Sequence, residues 1–362
     1  MKIQSNTSHV SRVEGFVSKK FSKFVRMDKN ERIDNYSYRI LNEFKKKVKS
    51  EDIINYPKEE SLVLKISKFL HVKKNQILLT PGSDAGLKYI FETFIKKGSK
   101  ISGLSPTYAM FEFYSQLYKC KYLKIHYNQN FEIDFADIKK NINSKIKLVY
   151  IANPNQPSGT SLNEKKIKKI LDLSKKKNIL VIIDEAYIDF SPHKSAIKFI
   201  NNYKNLIVTR TFSKGFGLAG LRVGYIISNK IIIKEINKVR PLHNINSIGL
   251  KFASFLLDKK SLINENISDI RSSKFLLYKF CKKKKLDYLY SDTNFVNIFF
   301  TERECKKIHN YLKKKKILVR LRIYKNKEKK FFSVRISLGQ KKSLLVLLSH
   351  LSNYLKYNEI KK

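Results

Sequence analysis

The chain has 362 residues, 42% of them hydrophobic and 12% aromatic, which excludes a disordered, collagen-like or low-complexity protein and leaves room for two lobes. Lys and Arg number 75 against 30 Asp and Glu, a net charge of +45, so a polyanion-binding protein is the first reading to weigh. Only 12 of those cations are Arg and 63 are Lys, and Arg is the side chain whose planar fork grips phosphate in two places; the excess therefore reads as whole-chain drift toward Lys, with nucleic-acid binding as a distant alternative.

A polar stretch runs to about residue 28, and a first helical pattern follows at 38–49. Short β-branched runs at 76–80, 100–104, 122–127, 147–152, 179–184, 206–211 and 223–228 then alternate with helical patterns at 84–96, 109–119, 163–177 and 231–239. That alternation predicts an α/β fold around a mostly parallel sheet, and several runs are apolar throughout, as strands buried on both faces must be. In the helix at 163–177 the positions Ile167, Ile170, Leu171 and Ser174 share one face and the lysines take the wet one. From about residue 247 the texture changes to long helical segments at 248–257 and 262–284. A strand at 294–300, a helix at 302–315, strands at 317–322 and 331–338 and a helix at 341–357 follow, with a Lys-rich turn at 325–330. This predicts a separate, smaller α+β lobe.

The three cysteines are far apart and form no C-x-x-C pair, which suggests neither a disulfide framework nor a zinc site and points to a reducing cytoplasm. No apolar run of signal-peptide length opens the sequence, and no window approaches the ~20 apolar residues of a membrane span. All seven prolines and most glycines lie in the connections at strand ends, where open α/β sheets bind their ligands.

Three of those connections carry chemistry. Thr80-Pro-Gly-Ser-Asp-Ala-Gly86 follows an apolar run and opens a helix, where free N–H groups and the helix dipole favour a phosphate. Ile179-Leu-Val-Ile-Ile-Asp-Glu-Ala-Tyr187 ends an apolar strand in two carboxylates, whose ionised forms need a cationic or hydrogen-bonding partner there. A strand-end Mg²⁺ acid is the other reading of that element, but the chain has no G-x-x-x-x-G-K-[ST] loop to accompany it. Thr209-Arg-Thr-Phe-Ser-Lys-Gly-Phe-Gly-Leu-Ala-Gly-Leu-Arg-Val-Gly-Tyr225 sets Lys214 between Ser213 and a glycine-rich turn, with Arg222 beyond it. A partly desolvated lysine in such a pocket is a competent nucleophile toward a carbonyl.

On these motifs the sequence resembles the pyridoxal-phosphate enzymes of fold type I, and within them the histidinol-phosphate aminotransferase group, over residues 27–339. The resemblance implies residues 1–49 as an arm plus part of the small lobe, 50–247 as the large cofactor lobe and 248–362 as the small lobe. It also implies that Lys214 forms a Schiff base with pyridoxal 5'-phosphate, that Asp184 holds the ring nitrogen protonated and that Tyr187 meets the ring hydroxyl. Ser83 and Asp84, with Ser213 and Arg222, would hold the phosphate, and Tyr108 in Ser105-Pro-Thr-Tyr-Ala109 would stack on the ring. Tyr56 in Asn55-Tyr-Pro57 would reach the neighbouring subunit's cofactor phosphate, which implies a homodimer. Arg335 in Phe332-Ser-Val-Arg-Ile-Ser-Leu-Gly339, with Arg320 and Arg322, would bind the anionic end of the substrate.

The expected reaction is transfer of an amino group between an amino acid or phosphorylated amino alcohol and a 2-oxo acid; decarboxylation of an O-phosphorylated amino acid is the alternative. Three departures bear on substrate recognition. In Asn153-Pro-Asn-Gln-Pro-Ser-Gly159, Gln156 stands where the family places its ring-hydroxyl asparagine, leaving Asn155 or Gln156 for that contact. Met27-Asp-Lys-Asn-Glu31 keeps an Asn-Glu pair without the N-P-x-G continuation, and the segment 240–247 is also unlike the family.

Overall fold

The computed structural model describes residues 9–10, 24–325 and 329–359, so most of the expected N-terminal arm and the middle of the Lys-rich turn at 325–330 lie outside the described residues. In chain order, strand β1 (Val25–Met27) leads to helices α1 (Tyr38–Lys45), α2 (Glu51–Ile54) and α3 (Glu60–Leu70). Then β2 (Ile77–Thr80), α4 (Gly82–Phe94), β3 (Lys100–Ser105), α5 (Ala109–Leu117), β4 (Lys121–His126) and α6 (Phe135–Asn141) alternate. Next come β5 (Leu148–Ala152), α7 (Glu164–Lys176), β6 (Leu180–Asp184), β7 (Leu206–Thr211), β8 (Gly224–Ser228) and α8 (Lys230–Asn237). The chain continues through α9 (Ser247–Leu257), α10 (Lys260–Lys283), β9 (Tyr288–Leu289) and β10 (Phe295–Phe300). It closes with α11 (Glu302–Lys314), β11 (Ile317–Lys325), β12 (Lys330–Ser337) and α12 (Lys341–Glu359).

The large lobe is a seven-stranded sheet in the order β2-β8-β7-β6-β5-β3-β4, parallel except for β8, which runs against both neighbours. Its apolar runs work on both faces. Val181 and Ile183 point into one core while Ile182 points into the other, and Leu206, Val208 and Ile207 repeat the split on β7. This two-residue alternation is why the central strands carry no polar face: helices cover both sides. In α7 the buried residues are Ile167, Ile170, Leu171 and Ser174, with Asn163 capping the first turn by accepting from Lys166 N at 3.0 Å.

The small lobe is a five-stranded sheet, β1-β11-β12-β10-β9, packed against α10, α11 and α12 around a second core. β1 pairs in parallel with β11, Val25 opposite Ile317. The reading of residues to 28 as a polar stretch therefore misses a strand, because three residues are too few to show a period.

A second correction concerns the change of lobe, expected at 248. Leu250, Phe252, Ala253, Phe255 and Leu256 of α9 lie in the large-lobe core, whereas α10 passes from that core at Ile263 into the small-lobe core at Ile270 and Leu277. The crossing thus falls inside α10, since α9 is apolar enough to serve as a core helix of the larger lobe. Among the described residues no helix is long and apolar enough to cross a membrane, and no group of His, Cys, Asp or Glu is arranged to hold a metal ion.

Candidate active site

The parallel strands deliver their carboxyl ends to one edge of the seven-stranded sheet, and the small lobe closes over that edge. Between them lies a cavity of about 690 Å³. Ser83, Asp84, Tyr108, Gln156, Asp184 and Tyr187 line it, as do Ser213, Lys214, Arg222, Arg320, Arg322 and Arg335. The sequence motifs thus converge on one volume, with two of the expected residues elsewhere.

Asp184 ends β6 and is 5% exposed, accepting from the Tyr150 hydroxyl at 2.8 Å and from Ala186 N at 3.1 Å. Burial pushes its carboxyl above the usual carboxylate range, against the opposing pull of those hydrogen bonds. A cation in the cavity would reverse that. Glu185, the next residue, points the other way along the strand and is satisfied: Arg210 Nε and Nη2 both donate to its Oε2 at 2.9 Å, and Ser195 Oγ and Ala196 N donate at 2.7 and 2.6 Å. Only one of the two strand-end carboxylates faces the site.

Lys214 Nζ donates to the Asn30 carbonyl at 3.1 Å and lies 5.7 Å above the Tyr187 ring. Its turn is held from outside by Asn266, whose amide donates to the Gly215 carbonyl at 2.9 Å, and by the Tyr36 hydroxyl donating to the Phe216 carbonyl. Tyr187 is 5% exposed and accepts from Asn30 Nδ2 at 2.9 Å.

At the other end, α4 opens with no side chain capping its first turn, leaving N–H groups for a ligand. Gly82 has φ +76°, and a Cβ there would stand 2.6 Å from Arg222 Nη2; a Cβ on Gly224 would stand 2.5 Å from the Gly82 carbonyl carbon. Glycine at both positions lets the helix start, β8 and the Arg222 guanidinium close on one small space. Asp84 borders it, with its Oδ1 buried and unpartnered and its carboxyl pushed up by burial against the pull of Arg222. Tyr108 forms a further wall, its hydroxyl pushed well above the ordinary range by burial.

Asn155 is fully buried beneath that wall; its amide nitrogen donates to the Pro106 carbonyl at 2.9 Å and to Ser158 Oγ at 3.1 Å, and Thr107 Oγ1 donates to its Oδ1 at 2.7 Å. With those bonds made, it knits two loops together, and Gln156 is the member of the pair that lines the cavity. Tyr56 is 76% exposed, outside the cavity, with its ring stacked on His243 at 4.2 Å.

The small lobe contributes three arginines. Arg335 on β12 stands opposite Arg320 on β11, and Arg322 lies on the same strand face as Arg320. Arg335 is 2% exposed; its Nη2 donates to the Asp28 carbonyl at 2.8 Å, while among the described residues its Nε and Nη1 have no partner and Arg322 Nε has none either. Burial holds Arg335 down at about 10 and lowers Arg322 as well. Buried donors left open in this way mark a place for an anion.

The segment Asp28–Glu31, which the sequence tied to substrate recognition without assigning any of its residues a contact, also lines the cavity. Its signal was present only as the Asn-Glu pair.

Pyridoxal 5'-phosphate fits these residues. The group needs an amine, a buried carboxylate at its ring nitrogen, an aromatic wall and a phosphate cradle; Lys214, Asp184, Tyr108 and the Gly82–Arg222 space supply them. The chain matches the family model "Aminotransferase class I and II" over residues 30–351. The histidinol-phosphate aminotransferase of Buchnera aphidicola subsp. Cinara cedri is 37% identical over 282 residues, 75% of this chain and 78% of that protein. Among solved structures, the histidinol-phosphate aminotransferase of Clostridium acetobutylicum superimposes with a TM-score of 0.82 at 25% identity, covering 92% of this chain and 99% of that one. The Sinorhizobium meliloti enzyme, solved with pyridoxal-5'-phosphate, shares the fold with a TM-score of 0.82 at 22% identity, over 92% of this chain and 91% of that one. The chain therefore belongs to the class I and II aminotransferases: it is a pyridoxal-phosphate-dependent transaminase of fold type I, similar to the histidinol-phosphate group.

Proposed function

We propose that the amino donor is a phosphorylated amine of the histidinol-phosphate kind, that a 2-oxo acid accepts the amino group, and that the enzyme works in the cytoplasm as a homodimer. The observation that carries the substrate reading is the arginine cluster: Arg322 and Arg335 present buried guanidinium nitrogens with no partner among the described residues, and Arg320 stands beside them. A phosphate monoester carries nearly two charges and several acceptor oxygens, and so meets more of those open donors than a lone carboxylate does. The dimer reading is supported by Tyr56, whose ring lies outside its own cavity, 76% exposed and stacked on His243.

When bound, pyridoxal 5'-phosphate supplies an electron-withdrawing ring that acidifies the Cα–H bond of the attached amine. Asp184 keeps the proton on the ring nitrogen, because its buried carboxylate has gained the cation it lacks. Tyr187 and Gln156 meet the ring oxygen, Tyr108 covers one ring face, and Ser83, Asp84, Ser213 and Arg222 surround the phosphate. Lys214, whose Nζ faces the cavity, would hold the cofactor, and its amine is the group placed to take up and give back the Cα proton of the substrate as base and acid. The arginines orient the amine so that hydrogen, rather than another Cα substituent, is the group removed.

The test is a panel of amino donors with 2-oxoglutarate. Histidinol phosphate is expected to outrun histidinol and the aromatic amino acids. Release of carbon dioxide and amine from an O-phosphorylated amino acid, with no oxo acid present, would overturn the transaminase reading of the substrate site.

A further inference from the structure

Asn30 sits at the centre of a hydrogen-bond chain whose direction is set by the orientation of its side-chain amide. It is 2% exposed and has φ +55°, a left-handed conformation that Asn tolerates better than most residues and that turns the chain sharply after β1. Its backbone N–H donates to Ser337 Oγ at 2.9 Å. Ser337 has a single hydroxyl hydrogen, and it goes to Asn30 Oδ1, also at 2.9 Å. That bond fixes the side-chain amide: the oxygen faces Ser337, and Nδ2 faces Tyr187, donating to its hydroxyl at 2.9 Å.

An amide nitrogen can only donate, so the Tyr187 oxygen accepts, and its own hydrogen is left to point elsewhere. No acceptor among the described residues takes it, and the open side of Tyr187 is the cavity. The carbonyl of the same Asn30 meanwhile accepts from Lys214 Nζ and from Asn294 Nδ2, each at 3.1 Å. One residue of the amino-terminal segment thus touches both the lysine and the tyrosine that line the cavity.

We propose that Asn30 is a positioning residue for the reaction: locked by Ser337, it aims the Tyr187 hydroxyl proton at the ring oxygen of the bound cofactor. The inference rests on Tyr187 meeting that oxygen, as set out above. A hydroxyl donating to the ring oxygen favours the state in which that oxygen is fully anionic, and so lowers the pH at which the lysine-linked cofactor loses its proton. With Asn30→Asp the neighbour becomes an acceptor, the Tyr187 hydrogen turns toward it, and the ring oxygen loses its donor.

The experiment is a pH titration of the visible absorbance of the holoenzyme, with no substrate added. Tyr187→Phe is expected to raise the midpoint by about one pH unit, the worth of one hydrogen bond to a charged group. Asn30→Asp raises it comparably in the parent enzyme, and by less than half as much in the Tyr187→Phe background. The new carboxylate's charge acts in both backgrounds, whereas the hydroxyl's direction matters only where the hydroxyl exists. Ser337→Ala, which unlocks the amide without adding charge, shifts the midpoint the same way by less and serves where Asn30→Asp does not fold. Equal Asn30→Asp shifts in both backgrounds, or a Ser337→Ala midpoint identical to the parent, overturns the role of Asn30. A Tyr187→Phe midpoint identical to the parent overturns the Tyr187 reading beneath it.

Discussion

Two arginine sites border the Lys214 loop, and they differ in one respect. Behind the loop Arg210 meets Glu185 through two nitrogens, and Glu185 collects two further donors. In front of it Arg322 and Arg335 keep buried nitrogens that meet no partner among the described residues. The first set is an internally satisfied network, whose charges cancel and whose work is to hold β6 to β7. The second carries a desolvation cost that the fold alone does not offset, and such a cost persists where a ligand offsets it. The contrast separates scaffold from site better than burial does, since Arg210 and Arg335 are both buried.

The contrast breaks most visibly at the paired set. Arg210→Met strands the Glu185 carboxylate and is expected to cost about 3–5 kcal/mol of stability, read from the denaturant midpoint, while activity per folded molecule changes little. Arg335→Leu is expected to do the reverse. Removing an anion-binding guanidinium lowers kcat/KM for the phosphorylated amine on the order of 100-fold. The cofactor-free protein nonetheless melts higher at pH 7. Arg335 is held down at about 10, below its ordinary value, so the native state is penalised for its charge at every pH below about 10, and the penalty fades only as pH rises toward the ordinary value. A lower melting point would contradict the reading of that arginine as unpaired.

Asp184 offers the smallest effect and the opposite titration. Its folded value is raised, so the native state binds the proton more readily, and stability is lost as pH climbs from the ordinary carboxylate range through the raised value. Cofactor-free Asp184→Asn is therefore expected to be more stable than the parent at pH 7, by about 1 kcal/mol, with the gap closing toward pH 4. Its amino transfer nevertheless falls, because the ring nitrogen has lost its carboxylate.

Much of this was legible before any coordinates. The alternation of β-branched runs and helical patterns marked all seven large-lobe strands to within one residue at each end. Motifs that follow a strand directly, such as Ser213-Lys214 and Asp184, name their residues because the strand end fixes where they stand. What stayed hidden depends on contacts between distant parts of the chain. Asn30 acts through a carbonyl and a side chain on partners 184 and 157 residues away, which no local pattern reports. Which of Asn155 and Gln156 lines the cavity was equally hidden: Asn155 bonds to Pro106, Thr107 and Ser158, and Gln156 is the one on the cavity wall. α9 looked like the start of a new lobe because the strand pattern ended before it, yet its apolar face belongs to the old one. The +45 charge, so prominent in the composition, matters here only through the few cations that face the cavity.

The most direct measurement is the ratio of kcat/KM for histidinol phosphate to that for histidinol, in the parent enzyme and in Arg335→Leu. If the unpaired arginines read a phosphate, the parent ratio is on the order of 1000 and falls to near 10 in the variant, since one charge-assisted contact is worth about 2–3 kcal/mol. A parent ratio near one, or a large ratio that Arg335→Leu leaves intact, would contradict the account.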